Sequence, residues 1–283
     1  MDGINSTGSI RRLQDVFNSV IEKPLLTSTI VLIAVTVIVL GLSMPYYLRD
    51  FDGFWSQILA EAHGMIFDIA VIGILIFWLN ENGQTRQRIR FYKDEIDDFR
   101  LWESDEAAFR TVGNIKRLNR NRIFEINLVN CFLSRTNLNY VNLTGSNLNS
   151  ANIAQSSLVE ANLENTRMNQ TNFENSNLNQ ANLKGSYASG ANFRDAFLIK
   201  TNFENAFLIK SSFHNAYLME ANLQNCYLMG ADFENASLYK ADLRGAKGLT
   251  IEQLAKAKTL YLAMFDDELF DQVKTNLPEL VGA

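Results

Sequence analysis

The feature that most constrains this chain is an apolar residue that recurs every five positions from Leu128 to Leu243. The series holds 24 consecutive positions without an insertion, and among them only Ala188 is small. The residue two places earlier is almost always Ala, Ser, Thr, Cys or Val, with Ile126 as the one large exception. The residue one place earlier is Asn or Asp in 14 of the 24 cases. A fixed period over this length indicates a repeat architecture.

A period of five matches neither the 3.6 residues of a helical turn nor the alternation of a strand. The chain must therefore turn a corner in every pentad, and four corners close a square coil of 20 residues. We name the apolar position i. Positions i and i−2 are expected to point inward, where only a small residue fits beside Leu or Phe, and the other three positions point outward. Six coils stacked at the ~4.8 Å spacing of β-strands predict a rod roughly 29 Å long.

The pentads resemble those of the pentapeptide-repeat family, A(D/N)LXX. The resemblance is carried by Ala151-Asn152-Ile153, Ala161-Asn162-Leu163, Ala221-Asn222-Leu223 and Ala241-Asp242-Leu243. It implies an all-β solenoid, a right-handed quadrilateral β-helix, over residues 124–247. The open ends of such a rod invite pairing with other chains, so both ends are expected to be covered.

Two apolar stretches precede the repeats. Leu25–Leu48 has 24 residues without a charge, and Ser56–Leu79 has another 24 with a few ionisable side chains. About 20 apolar residues suffice for a helix that spans a bilayer. With the short loop Arg49–Trp55 between them, the two stretches predict an N-terminal transmembrane α-hairpin over residues 25–79. A buried helix of a soluble domain is the alternative for the first stretch.

Positive charge predicts the orientation of this hairpin, because cytoplasmic flanks carry an excess of Lys and Arg. The loop has only Arg49, whereas the outer flanks carry Arg11, Arg12, Lys23, Arg86, Arg88, Arg90 and Lys93. We therefore expect a multi-pass protein of an inner or cytoplasmic membrane. Its N-terminal segment 1–24, its repeat rod and both termini would lie in the cytoplasm.

Helices are predicted on both sides of the rod, in linker helices and an N-terminal cap over residues 80–123 and a C-terminal helical cap over residues 248–283. Gln84–Trp102 continues the second span, with apolar residues at coiled-coil spacing. It either packs on its own rod or pairs with another copy. Ser104 is a predicted N-cap, and Thr250–Gln253 has the pattern of a capping box.

The residues that carry catalysis in other proteins are scarce. Cys131 and Cys226 both fall on position i−2, far apart along the rod, so we predict reduced packing residues and no disulfide. The sequence contains no glycine-rich phosphate loop, nucleophile elbow or zinc-ligand spacing. His214 falls on an outward position, and no Cys or carboxylate set surrounds it in a ligand pattern. We therefore expect no enzyme, no cofactor and no metal.

The resemblance also implies a test for DNA mimicry, because some pentapeptide-repeat proteins resemble a duplex and bind type II topoisomerases. That mimicry requires a strongly acidic rod. Between Phe124 and Lys247 the chain has ten Asp and Glu against nine Lys and Arg. A near-neutral rod argues against a DNA mimic and against nucleic-acid binding.

Polar residues within the predicted spans are candidate sites, because a carboxyl at bilayer depth is costly unless it is paired or neutralised. Asp68 lies at the middle of the second span, and Glu61 shares its helix face; His63 lies nearby. The hairpin would place Thr36 at the depth of Asp68. Either Asp68 bonds to Thr36 or to another subunit and serves assembly, or Asp68 and Glu61 line an ion or proton path in an oligomer.

Outward apolar residues form two stripes, because positions 20 apart share a wall of the rod. The first stripe comprises Phe197, Ile199, Tyr217, Met219 and Tyr239. The second stripe, on the opposite wall, comprises Tyr187, Phe207, Ile209, Tyr227 and Met229. Apolar stripes on a soluble surface predict a partner, unless the flanking helices Gln84–Trp102 or Tyr261–Asn276 fold back and cover one.

The sequence thus predicts a non-enzymatic, membrane-anchored scaffold or sensor that forms a homo-oligomer. Its cytoplasmic rod would mediate protein–protein interaction or self-assembly, with an unidentified protein as partner. The alternative is an oligomeric ion channel or pore-forming effector regulated by the rod. A DNA mimic that binds topoisomerase ranks third.

Overall fold

The computed structural model describes residues 24–47 and 51–282. The chain divides into two units, Met1–Glu81 and Asn82–Ala283. Helix α1 is Pro24–Tyr47, and helix α2, Phe51–Asp98, continues from the first unit into the second. The predicted loop Arg49–Trp55 is therefore wrong from Phe51 onward, while Arg49 and Asp50 lie outside the described residues.

The helices of the first unit present apolar surface that the described residues leave open. Within the described helices, Gly64–Asp98 is the one stretch long and apolar enough to cross a membrane, and none of its most apolar window is buried. Leu32–Leu42 is a shorter apolar stretch. The exposed fraction reaches 72% for Leu42 and 70% for Ile74. Contiguous apolar exposure on this scale is typical of surfaces that contact a membrane or a partner.

Pentads build a solenoid in the second unit. From Asn127 to Tyr227, each residue at position i−1 forms a parallel bridge with the residue 20 places later. The hydrogen bonds of one bridge are typical: Leu128 N–H donates to the Asn147 carbonyl at 2.7 Å, and Asn147 N–H donates to Ile126 at 3.0 Å. Each pentad contributes a single bridged residue. The described residues therefore form isolated bridges and do not form strands of several residues. The predicted 20-residue coil is confirmed.

A tight turn closes each pentad. Cys131 N–H donates to the Leu128 carbonyl at 3.1 Å, and Asn130 between them has a φ of 57°. A positive φ at the third residue is what a type II turn requires. The Asn127 side chain accepts from the N–H of Val129 at 3.3 Å, and equivalent bonds recur along the rod. This local bond explains why Asn and Asp dominate position i−1.

The core fills the inside of the coils. Side chains at position i are buried throughout, and Phe173, Phe193, Phe213 and Phe233 stack in one column at centroid spacings of 5.0, 5.1 and 5.3 Å. Cys131 and Cys226 are buried and free, which confirms the predicted packing role. Burial raises the pKa of Cys131 to about 11 and that of Cys226 to about 12.

Helices cover the N-terminal end of the rod. Ser104 caps helix α3, Asp105–Arg120, by accepting from Ala107 N–H at 3.1 Å, as predicted. Ile115 of α3 is fully buried in the cluster that contains the first coil. At the end of α2, Ile96 joins the same cluster, and the Arg100 guanidinium donates to rod carbonyls. The end of α2 therefore packs on its own rod.

The C-terminal end differs from the predicted helical cap. Thr250 begins the short helix α4, Ile251–Leu254, with both bonds of the predicted capping box. The chain then rejoins the solenoid, since Thr259 and Met264 bridge to Ser237 and Asp242. Leu260 and Phe265 are buried at position i, so residues 259–265 add two pentads where only helix and connections were expected. Two short helices follow, α5 (Asp267–Asn276) and α6 (Pro278–Val281).

Candidate functional site

The first stripe is an open aromatic surface. Phe197 and Tyr217 stack with ring centroids 4.9 Å apart and planes 5° apart. Their exposed fractions are 43% and 42%. Ile199 and Met219 flank them and are half-buried. At the C-terminal end, Tyr239 packs against Tyr261, with a centroid distance of 5.9 Å.

The second stripe has the same chemistry on another wall. Tyr187, Phe207 and Tyr227 form a column with centroid spacings of 4.9 and 4.5 Å. Tyr187 is 46% exposed and Met229 is 60% exposed, while Ile209 is half-buried. Lys247 ends the column, because its Nζ lies 3.1 Å from the Tyr227 hydroxyl and 4.6 Å from the ring centroid.

Four of the ten stripe residues are exposed, and the other six are half-buried. The predicted alternative, in which one helix folds back over a stripe, is wrong for Tyr187, Phe197 and Tyr217, all of which stay exposed. Tyr261 stacks on Tyr239 at the C-terminal end of the first stripe. The stacking itself follows from the bridges, which set equivalent residues of successive coils side by side. The rod thereby holds the rings in fixed, parallel positions before any partner binds.

Polar walls separate the two stripes. On one wall, asparagine side chains form a ladder in which each amide N–H donates to the side-chain oxygen of the asparagine 20 residues earlier, at 3.1 to 3.3 Å; its members are Asn162, Asn182, Asn202 and Asn222. The pair Lys184 and Glu204 lies beside this ladder, with Nζ and Oε2 2.9 Å apart. The side chains of this ladder bond to one another, whereas the stripes present apolar rings at the surface.

The structure corrects the interpretation of His214 as an isolated residue. Glu234 lies one coil later on the same wall, and its Oε2 is 3.7 Å from His214 Nδ1. One ligand atom from each of His214, Asp232 and Glu234 falls within 4.8 Å of the others. The sequence contains the signal, because Glu234 is 20 residues after His214, but it appears only when residues are compared coil by coil.

The polar candidates of the two predicted spans lie on the two long helices. Thr36 Oγ1 donates to the Leu32 carbonyl one turn earlier at 2.8 Å, and Asp68 and Glu61 are exposed on α2. The side chain of His63 lies outside the described residues. The pairing of Asp68 with Thr36 or with another subunit stays a prediction.

The repeats also match a known family. Residues 125–155, 156–195, 189–225 and 216–247 match the family described as Pentapeptide repeats, in eight copies. This region is a pentapeptide-repeat domain. Among curated proteins, no sequence matches the chain.

Solved structures of pentapeptide-repeat proteins are similar to about half of the chain. HetL, involved in heterocyst differentiation regulation in the cyanobacterium Nostoc sp. strain PCC 7120, is 26% identical; the match covers 53% of this chain and 78% of HetL, with a TM-score of 0.42. QnrB1, a plasmid-mediated fluoroquinolone resistance protein, is 16% identical, with 54% and 86% covered and a TM-score of 0.30. Rfr23 from the cyanobacterium Cyanothece 51142 is 22% identical, with 54% and 98% covered and a TM-score of 0.18.

Proposed function

We propose that this protein is a non-enzymatic, membrane-anchored scaffold or sensor whose pentapeptide-repeat rod binds a protein through its apolar stripes. The observation that carries the proposal is the exposure of stacked aromatic rings on two walls of a rigid rod. Aromatic side chains supply large contact areas with little loss of conformational freedom, and they dominate the energetics of protein interfaces. Further copies of this chain are the partner that we test first, because a homo-oligomer needs no other component.

The membrane anchor rests on the long helices. Gly64–Asp98 is long and apolar enough to cross a bilayer, and the large side chains of Leu32–Leu42 stand open. Basic residues on the outer flanks favour a hairpin whose two ends face the cytoplasm. The rod would then lie beside the cytoplasmic face, where a recruited protein is held at the membrane.

Self-association separates the two stripes experimentally. The first set of substitutions copies residues that the rod uses at the same positions elsewhere: Phe197→Asn, Ile199→Asn, Tyr217→Ser and Met219→Gln. The matched set on the second stripe is Phe207→Asn, Ile209→Asn, Tyr227→Ser and Met229→Gln. We expect one set to weaken self-association in detergent at least 10-fold in sedimentation equilibrium, while the substitutions at the exposed Phe197, Tyr217 and Met229 each change the free energy of unfolding by about 0.5 kcal/mol or less.

A polar wall provides the control. Asn202→Ser, Glu204→Gln and Asn222→Ser change the same rod without touching either stripe, and should leave self-association unchanged. Equal self-association of the first-stripe set, the second-stripe set and the polar-wall set would contradict the hypothesis that a stripe assembles this chain. If the first set destabilises the rod by more than about 2 kcal/mol, that stripe is covered by the protein itself, since losses of that size come from buried positions.

A second candidate function, an oligomeric ion channel, is favoured by one observation. Asp68 is a carboxyl side chain inside the apolar stretch Gly64–Asp98, and Glu61 is exposed one heptad earlier on the same helix. Ionisable residues in spans often line ion or proton paths. If Asp68 conducts, Asp68→Asn should preserve the oligomer and abolish ion flux in liposomes; if it only serves assembly, the same variant should preserve both.

A further inference from the structure

The wall of the rod that carries His214 holds three ligand groups of the kind that bind metal ions. One ligand atom each from His214, Asp232 and Glu234 lies within 4.8 Å of the others. His214 and Glu234 occupy position i+1 of pentads one coil apart, and Asp232 occupies position i−1 of the later pentad. His214 and Asp232 are half-buried, and Glu234 is exposed. The cluster is therefore built by coil stacking and is open to solvent.

The backbone fixes these three positions relative to one another. Phe213 N–H donates to the Asp232 carbonyl at 2.7 Å, and Asn215 N–H donates to the Glu234 carbonyl at 2.9 Å. These bonds flank His214 and hold the two pentads in register. Asp232 Oδ1 also accepts from Glu234 N–H at 3.1 Å, which orients the Asp232 carboxylate. Only the side-chain torsion angles of the three residues need to change when a ligand enters.

We propose that His214, Asp232 and Glu234 bind one divalent transition-metal ion of the zinc type. An imidazole nitrogen with carboxylate oxygens is a donor set that zinc accepts, at bond lengths of about 2.0–2.2 Å. Ligand atoms of a tetrahedral zinc ion are roughly 3.3 Å apart, so the longest separation in this cluster must shorten by up to about 1.5 Å to complete the site. Three protein ligands leave a coordination position for water or for a side chain of a partner.

Charge at the cluster is compatible with a cation. Two carboxylates and a neutral imidazole sum to a charge that a divalent ion neutralises. Arg194 lies one coil before His214 on the same wall, but its Nε donates to Asp195 Oδ2 at 3.2 Å. This ion pair offsets the charge of the guanidinium. An ion at the cluster would join two successive coils near the C-terminal end of the rod.

The test is a titration of the full-length protein in detergent with Zn²⁺, after removal of any polyhistidine tag, against a chromophoric zinc indicator. We expect saturable binding of one ion per chain. His214→Gln, Asp232→Asn and Glu234→Gln should each weaken binding at least 10-fold. All three variants are expected to fold, because Gln224 and Asn192 show that the rod accepts these residue types at the same two pentad positions. Co²⁺ should give a visible d–d absorption band that His214→Gln removes.

Two controls locate the ion. Glu174→Gln changes a carboxylate two coils before His214 on the same wall, and should leave binding unchanged. His63→Asn removes the chain's other histidine, and should also leave it unchanged. The proposal is overturned if no saturable binding is seen, if His214→Gln binds Zn²⁺ as the natural protein does, or if binding is lost only in His63→Asn.

Discussion

Adjacent residues on the rod lie in opposite environments, and one pair tests this directly. Leu198 at position i is fully buried, whereas its neighbour Ile199 points outward and is half-buried. Leu198→Asp would bury an unpaired carboxylate at a cost of several kcal/mol, comparable to the ~5–15 kcal/mol stability of a whole domain. We expect loss of the cooperative thermal transition in circular dichroism. Ile199→Asn should retain that transition, and equal melting of both variants would contradict the assignment of inward and outward positions.

Asp242 predicts a dependence of stability on pH. It ends the asparagine ladder, and its carboxylate accepts from Arg244 Nη2 at 2.6 Å and Nε at 2.9 Å. The Arg244 side chain lowers the pKa of Asp242 in the folded state. A lowered folded pKa gives stability that is present above the unfolded value of about 3.9 and is lost as pH falls through the folded value.

Asp242→Asn should remove this contribution. The Arg244 side chain is half exposed, so solvent screens the pair, and we expect a loss of about 1 kcal/mol or less at pH 7 in urea unfolding. As pH falls through the lowered pKa of Asp242 in the folded state, the difference between the two proteins should shrink, because the carboxyl becomes protonated in the natural protein as well. A difference that is equally large at pH 7 and in strong acid would exclude ionisation of Asp242 as the cause.

The turn that leads from the regular pentads to the C-terminal cap depends on a glycine. Gly248 has a φ of 72°, and a Cβ there would lie 2.8 Å from Met229 Cβ and 3.1 Å from Met229 Cα. Gly190 has a similar φ of 68°, but its nearest neighbour would be 3.7 Å away. Both changes to Ala incur a backbone penalty of about 1–2 kcal/mol, and only Gly248→Ala adds a clash with backbone. We expect a clearly larger fall in melting temperature for Gly248→Ala; equal falls would contradict this account.

The pentads themselves could be predicted from the sequence, and the end of the rod could not. A constant spacing revealed every coil up to Leu243, because each pentad repeats the same two inward residues. The next bridges join Ser237 to Thr259, a step of 22 residues, since helix α4 and its connections add two residues to that coil. An insertion of this kind shifts the register, so Leu260 and Phe265 no longer fall on the period although they lie at position i.

The candidate sites differ in the same way. Both stripes follow from comparing residues 20 apart, and the structure places Phe197 over Tyr217 and Phe207 over Tyr227 as that comparison predicts. The cluster at His214 does not follow from the spacing of ligands along the chain, because its three ligands come from pentads one coil apart. The 20-residue period predicts that His214 and Glu234 lie on the same wall in successive coils. The distance between their side-chain atoms depends on side-chain conformation, which the period does not predict.

The two parts of the chain place their apolar residues in different environments. The rod buries its apolar residues between coils, and each coil needs its neighbours to do so. The long helices keep their apolar residues on the outside, which favours a lipid environment. The proposed scaffold function would use both, with the rod as the fixed binding surface and the helices as the membrane anchor.

Thiol labelling in intact cells tests the proposed orientation. The native cysteines do not interfere, because Cys131 and Cys226 are buried and their pKa values are raised to about 11 and about 12. The thiolate is the reactive form, and at neutral pH these two thiols stay protonated. Single cysteines introduced as Asn5→Cys, Asp52→Cys and Asn276→Cys therefore report their own location.

With a membrane-impermeant maleimide, we expect Asp52→Cys to react in intact cells, because it lies between the two predicted spans. Asn5→Cys and Asn276→Cys should react only after the cells are broken, since basic residues on the outer flanks favour a cytoplasmic location for both ends of the predicted hairpin. Labelling of all three variants in broken cells is the control for accessibility. If Asn276→Cys reacts in intact cells and Asp52→Cys does not, the rod lies outside. If both react before lysis, the two-span hairpin is wrong, because an even number of crossings puts residues 5 and 276 on the same side, opposite to residue 52.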